Sequence, residues 1–411
     1  MNEMIGFLRA TKGNPRAILT LDPLWTIPFN MFWPFATMYM FALGLGDVEI
    51  GLILTVGMAA NFTTSLLGGV IVDKYGRRKT LIICDFLAWS IPVLVWAFAQ
   101  NIWWFLVAAI FNSASQIAMV AFECAWIDDT EEHKLAKLIN WLHIFFNFAV
   151  LFALITGFFV ERYTIIPAMR GVYLFSFVVM TARVIAMMFI LKETKRGIER
   201  LEAVKDKSIF VLLSGYKEVF LQIVRSKAMR RVLILLPMVG VFQMVTSTFF
   251  ALYATQNLGM PDAFLAYFPV TRSVVILTFF FFIQVRLDKF NKRHMMGIGL
   301  VLFITGHILL LLAPPQNMVW LIAYTMIDAC ATALFFPRME NLLFSSLDPT
   351  ERARCRSLIN VVVMAITSPF GIFAGWLSDM DRRLPFVLNI VLFICMIYFL
   401  LPNFSPKIKV E

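Results

Sequence analysis

The chain has 411 residues, of which 60% are hydrophobic and 15% charged, with 42 Phe beside 36 Lys+Arg and a net charge of +10. A soluble domain is about 45–50% apolar and about 25% charged, so a soluble globular protein is excluded and an all-α integral membrane protein is indicated. The five cysteines form no CxxC pair, the four histidines share no metal-ligand spacing, and no Gly-rich phosphate loop, HExxH or GxSxG occurs, so no catalytic residue, cofactor or metal is expected.

In chain order, residues 1–16 form a short basic lead-in. Twelve stretches then have the roughly 20 apolar residues that a bilayer-spanning helix needs. They are 17–43, 47–72, 80–99, 102–127, 135–160, 168–191, 232–257, 263–285, 296–313, 318–344, 356–378 and 385–401. The first is too long for a signal peptide and has no small-residue cleavage site after it. Asp22-Pro23 reads as a helix N-cap followed by proline at the first helical position, in preference to a proton site at Asp22. Turn chemistry separates later spans at Gly44-Leu45-Gly46-Asp47, Gly259-Met260-Pro261-Asp262 and Pro314-Pro315-Gln316-Asn317.

Orientation follows from Lys and Arg in short loops. With the amino terminus inside, 29 of them fall on the inner side and four (Arg162, Arg170, Arg382 and Arg383) on the outer. Both termini are therefore expected in the cytoplasm, in a cytoplasmic-type membrane. The positive charge then reads as a topology signal with attraction to anionic membrane lipids, and nucleic acid is not needed as a partner.

The polar segment 192–231 divides the chain into two expected six-helix bundles, 1–191 and 232–411, around a cytoplasmic linker with a helical stretch at 214–229. An internal repeat supports the division. Asp73-Lys74-Tyr75-Gly76-Arg77-Arg78 matches Asp288-Lys289-Phe290-Asn291-Lys292-Arg293, 215 positions on. Leu138-Ile139-Asn140 recurs as Leu358-Ile359-Asn360, 220 on, and Gly157, Glu161 and Pro167 recur as Gly375, Asp379 and Pro385, 218 on. Parallel halves related by a pseudo-twofold axis along the membrane normal are a transporter architecture.

Gly69, Asp73, Lys74, Gly76, Arg77, Arg78 and Lys79 follow one another at a spacing that resembles the signature between spans two and three of the major facilitator superfamily. The resemblance extends over the whole chain through the twelve spans, the central loop and the degenerate second copy. It implies that superfamily's fold, and a secondary transporter that alternates between inward-open and outward-open states. Two departures separate the chain from the drug/proton antiporters: span four carries no arginine, and span five lacks their Gly-Pro pattern.

The motif has its own physical reading as a cytoplasmic gate. Gly69 allows close helix approach, Gly76 a left-handed turn, and Asn291 is the next-best residue at the equivalent turn. Asp73 is expected against the start of span eleven near Arg356 and Ser357, and Asp288 against span five near Lys137. With Lys74, Arg77, Arg78, Lys289 and Arg293 these contacts exist in one state only, and so bias which state is populated.

Charges inside spans are expensive and usually functional. Arg272 and Asp328 lie about ten residues from their span ends, hence roughly 15 Å deep, and are natural counter-charges. Asn112, Gln116 and Glu123 fall within about 40° on one face of span four. In the fold the resemblance implies, spans one, four, seven and ten line the central cavity, so this stripe is expected to face a small-molecule solute. Glu123 and Asp328 are the expected proton carriers. Asp85 is expected to join the inner cluster with Arg77 and Arg78, and Arg183 to snorkel inward. Arg338 and Glu340 read equally as a gate pair or as topology charges. Trp25, Trp33 and Trp126 read as packing with a capacity to stack on substrate, and Trp103, Trp104 and Trp320 as interface anchors. The expected function is proton-coupled transport of a small organic solute; a uniporter or exchanger, and a non-transporting receptor, remain open. Oligomeric state is not readable from the sequence, and a monomer is compatible with it.

Overall fold

The computed structural model describes residues 11–130, 132–206, 208, 227–283, 291–345 and 352–400, and all regular structure among them is helical. Among the described residues, nine stretches are long and apolar enough to cross a membrane: Asp47–Tyr75, Arg77–Ala97, Ile102–Ile127, Trp141–Tyr163, Ile165–Ile190, Val232–Asn257, Arg293–Leu311, Met318–Leu343 and Leu358–Met380. They are spans two to seven and nine to eleven. Span twelve, Leu384–Leu400, is apolar but shorter.

Spans one and eight are interrupted. Span one runs through Gly13–Leu21, Pro23–Phe32, Trp33–Phe35 and Ala36–Ala42. Its prolines at 23, 28 and 34 each remove a backbone donor, and the turn at Pro34 tightens to a 3₁₀ geometry. Span eight enters as the 3₁₀ turn Asp262–Ala266, continues as Tyr267–Thr278 and widens into a π-helical turn at Phe279–Ile283. The expected N-cap at Asp22 is not formed. Asp22 has helical φ −59° and ψ −39°, its side chain caps nothing, and its N–H donates to Ile18 O at 2.8 Å. The preceding helix continues through it, because Pro23 needs no donor partner there.

Aromatic clusters form in both parts of the chain, and one apolar core continues between them, from Phe32 and Tyr39 to Phe249 and Tyr253. In the amino-terminal half Tyr39 lies against Tyr173 at 5.3 Å and donates to Trp96 O at 2.8 Å. In the carboxy-terminal half Phe242, Phe303 and Phe393 meet at 4.9–5.1 Å around the buried His307. Large apolar side chains such as Phe189 (83% exposed) and Val319 (80%) face outward, where a bilayer would solvate them. The repeat is visible in the backbone: Gly44 (φ +90°) and Gly259 (φ +68°), 215 positions apart, turn the chain into Asp47 and Asp262. The linker expected to be a plain tether starts as structure. Lys195–Val204 is a helix packed on span two, its N-cap Thr194 accepting from Gly197 N. Most of the helical stretch expected at 214–229 lies outside the described residues.

Candidate functional site

The end of the protein that carries residues 73–79 is the motif end. Gly76 has φ +88° and ψ 158°, a region open essentially to glycine and distinct from the left-handed helical turn expected. A Cβ there would lie 2.6 Å from Glu193 Oε2. Glu193 receives the backbone N–H groups of Arg77 and Arg78, each at 3.0 Å, and so places a carboxylate on the positive amino end of span three. The Arg77 guanidinium, 4% exposed, donates to Asp128 at 3.2 Å and lies 3.3 Å from Asp73. Arg78 donates to Met188 O, and Lys74 sits in the last turn of span two, where a cation is favourable. Asn14 bridges Asp129 (2.9 Å) and both backbone groups of Lys192 (2.8 and 3.0 Å). Burial and the neighbouring Asp128 push the Asp129 carboxyl above its usual range.

Sequence reasoning missed Asn14, Asp128, Glu193 and Thr194, whose partners in this clamp lie 51 to 178 positions away. In the second copy Asn291 does not share the conformation of Gly76. It has φ −59° and caps the start of span nine by accepting from Arg293 N at 3.0 Å. A short polar side chain can cap a helix end, so no unusual backbone is required. Asp288 and Lys289, and the side chains of Lys137, Arg356 and Ser357 named as gate partners, lie outside the described residues. Gly69 belongs to span two, but the tight approach of that span comes at its other end.

There, at the opposite end, the two halves touch. Asp47, 3% exposed on its side chain, accepts from Arg382 through both oxygens at 3.1 Å and from Ser378 at 2.5 Å. The Arg382 guanidinium also lies 5.4 Å from the Phe41 ring centroid. Below this lock spans two and eleven approach at backbone distance: a Cβ on Gly51 would lie 2.5 Å from Gly371 O, and one on Gly375 2.7 Å from Asp47 O. Thr55 Oγ1 accepts from the Ile372 backbone N–H at 2.8 Å, and the Ser368 hydroxyl donates to Thr55 O at 3.1 Å. The pseudo-equivalent contact of spans five and eight puts Gly157 against Ala263 O, 2.9 Å from its would-be Cβ. The sequence reading treated Arg382 as a topology charge and passed over Asp47; their 335-position separation hides the pair.

Between the ends, Arg272 donates to Asp328 at 2.7 Å and to Thr332 Oγ1 at 2.9 Å, with Asp328 2% exposed. The expected polar stripe on span four does not converge. The helix loosens at Ser113 and Ala114, which breaks the 100° count. Asn112 turns to span three and donates to Ala88 O at 2.8 Å, inside the π-helical turn Phe86–Ser90. Gln116 turns to span two and accepts from Ser65 at 3.2 Å. Glu123 is exposed, one turn from the end of span four, so it lacks the desolvation expected of it.

Asp85 and Arg183 are also reassigned. They pair with each other at 2.5 Å, with Arg183 4% exposed, instead of joining Arg77 and snorkelling. A long cation retracts from the surface when a buried carboxylate is within reach. Arg338 is 5% exposed and donates to Leu334 O at 3.0 Å. Glu340 lines a cavity of about 240 Å³ with Gln243 and Asn360, between spans seven, ten and eleven. Trp25, Phe29 and Trp33 stack along span one at 4.9 and 5.2 Å, and Trp33 is 50% exposed. Trp126 is buried; Trp103 is exposed, whereas Trp320 donates to Leu309 O at 2.6 Å.

The family model described as Major Facilitator Superfamily matches residues 26–362 and again 238–410. The uncharacterized MFS-type transporter YqjV of Bacillus subtilis (strain 168) is 27% identical over 130 residues, 31% of this chain and 32% of that protein, so the likeness spans about a third of the relative. The solved structure of nucleoside transporter NupG is similar with TM-score 0.71 over 94% of this chain and 97% of that one, at 14% identity. A POT family transporter in complex with 5-aminolevulinic acid is similar with TM-score 0.71 over 94% and 96%, also at 14% identity. Identities this low carry the fold and leave the cargo to be argued from the site. The family match over most of both halves, with the helical layout that carries it, shows that this chain is a multi-pass membrane protein of the major facilitator superfamily.

Proposed function

We propose that the protein is a proton-coupled secondary transporter of a small organic solute, working by alternating access in a cytoplasmic-type membrane. The observation that carries this reading is the Arg272/Asp328 pair, two opposite charges 2.7 Å apart deep in spans eight and ten. A guanidinium stays protonated in proteins, so Arg272 needs a partner throughout a transport cycle. Asp328 supplies it and leaves a site of balanced charge, which suits a neutral or zwitterionic solute. The aromatic ladder of Trp25, Phe29 and Trp33 offers ring faces to the apolar part of such a solute.

The excess of Lys and Arg at the motif end supports a cytoplasmic position for that end and for both termini. The Asp47, Ser378 and Arg382 lock then closes the outer face, and the arrangement corresponds to a state that would open inward. Opening outward must break this lock, while Asp73 and its neighbours bias the return step. Proton movement is assigned to Asp328, whose charge is neutralised when the solute disengages Arg272.

The test is uptake into proteoliposomes of a panel of nucleosides, dipeptides and amphipathic neutral solutes, with and without an imposed pH gradient. Accumulation driven by the gradient is expected for at least one class. Asp328→Asn should abolish accumulation and keep solute-for-solute exchange. Accumulation by the variant equal to that of the wild type would reject Asp328 as the coupling group. Flux unaffected by the gradient would identify a uniporter or exchanger, and binding without flux a receptor.

A further inference from the structure

The two bundles repeat one side-chain contact at the Asp47 end. Tyr39, late in span one, donates its hydroxyl to Trp96 O in span three at 2.8 Å. Tyr253, 214 positions on, donates from span seven to Leu310 O in span nine at 3.3 Å, and Leu310 is itself 214 positions beyond Trp96. Both tyrosines are fully buried. Each acceptor lies in the last turn of its helix and also accepts a backbone bond, from Ala99 N and Ala313 N, both at 3.2 Å. Carbonyls in a last helical turn lack the usual donor four residues on, so the hydroxyl fills a place that the helix end leaves open. A ring from the last span of each bundle packs on the pair, Tyr173 at 5.3 Å from Tyr39 and Phe386 at 5.2 Å from Tyr253.

These hydroxyls lie directly behind a contact between the halves. Met38, next to Tyr39, receives the Thr255 hydroxyl across the two bundles at 3.0 Å, and Thr255 is two positions beyond Tyr253. Met38 and Thr255 are 2% and 6% exposed. Both spans are weakened at this level. Span one tightens to a 3₁₀ turn at Trp33–Phe35, around Pro34, and span seven widens to a π-helical turn at Tyr253–Asn257. Helices bend at such interruptions. The end of either span would be free to bend away from its bundle, and the tyrosine ties it to the third helix of that bundle.

We propose that Tyr39 and Tyr253 are positioning residues for the Met38–Thr255 gate, holding each span end to its own bundle so that the gate moves only when whole bundles move. The inference rests on the alternating-access reading given above. With both ties made, the Met38–Thr255 contact and the Asp47–Arg382 lock open and close together. Without one, the span end bends at its interruption and the gate parts while the lock stays shut. A path then exists through both faces in one state, so solute runs down its gradient and cannot be accumulated. Tyr39 carries the larger share, because its bond is the shorter of the two.

The experiment is double electron–electron resonance on the full chain in lipid nanodiscs, in a background lacking the native cysteines, with two spin-label pairs in separate samples. Leu43→Cys with Gln256→Cys reports the gate, and Val48→Cys with Asp379→Cys reports the lock. Tyr39→Phe removes one oxygen and keeps the ring. It should add a longer component to the gate distance and leave the lock distance where it was. Tyr253→Phe should do the same with a smaller added component. Gate distances unmoved in both variants would overturn the proposal, and so would gate and lock distances that lengthen together. In proteoliposomes that accumulate a solute, Tyr39→Phe should lose accumulation and keep downhill flux, a split that a general loss of stability would not produce. Wild-type accumulation in both variants would also overturn it. Should no solute be transported at all, the alternating-access reading fails by itself, while the two distances still decide whether the tyrosines hold the gate. If Tyr39→Phe does not accumulate as folded protein, Tyr253→Phe decides by the same distances.

Discussion

In the carboxy-terminal bundle one guanidinium, Arg272, meets one carboxylate, Asp328, at 2.7 Å with a hydroxyl, Thr332, at its side. In the amino-terminal bundle Arg183 binds Asp85 and also has Asp22 within electrostatic reach. The two bundles repeat each other in helix order and in turns, yet one buries a neutral pair and the other an acid in excess. A matched pair is a fixed feature whose loss strands a charge. The comparison therefore separates a pair whose loss strands a charge from a buried acid, Asp22, that caps no helix end and forms no ion pair among the described residues.

The comparison predicts its largest effect at the matched pair. Arg272→Ala leaves Asp328 buried without its partner, and breaking such a pair costs about 3–5 kcal/mol. Thermal unfolding of detergent-solubilised protein should show that loss, and adding Asp328→Ala should recover much of it. A well-folded single variant that only fails to bind solute would mean that Arg272 serves an anionic cargo instead.

Arg183→Ala should cost less, about 2–3 kcal/mol, because Arg183 makes one side-chain bond where Arg272 makes two. Protons taken up on folding stabilise the native state at low pH, and that contribution fades as pH rises. The variant should therefore unfold nearer the wild-type temperature at pH 5 than at pH 8. Equal deficits at both values would remove the distinction between the bundles.

The contact that joins the halves comes next. Gly51→Ala forces a Cβ to within 2.5 Å of Gly371 O unless the helices part. Overpacking of this kind costs about 1–3 kcal/mol, here charged to the state closed at the Asp47 end alone. Spin labels at Val48→Cys and Asp379→Cys should report a longer distance when Gly51→Ala is added. Arg382→Gln should move the same distance in the same direction by removing charge-assisted bonds to Asp47. An unmoved distance in both variants would show that the lock does not set the conformational balance.

The smallest effect is expected at Asp22. If it already carries a proton, Asp22→Asn replaces one neutral group by another of similar shape, within about 0.5 kcal/mol of wild type. A loss near that of Arg272→Ala would show that Asp22 is ionised and paired.

Composition, span count, charge bias and the doubled motif were enough to place the chain in its fold class and superfamily, because membrane insertion reads local properties: twenty apolar residues and nearby cations. The pairing of Arg272 with Asp328 was legible for a related reason, since two deep opposite charges in one bundle have few other partners. Tertiary structure alone decided the rest. Asp22 looked like a cap until the helix was seen to run through it. The stripe on span four split because Ser113 and Ala114 loosen the helix, so residues counted onto one face turn to spans two and three. Glu193, 116 positions from Arg77, and Asp47, 335 from Arg382, find their partners only when distant helices meet. Hydropathy and charge are summed along a chain, whereas a gate or a buried charge balance depends on which side chains the packing brings within a few ångströms.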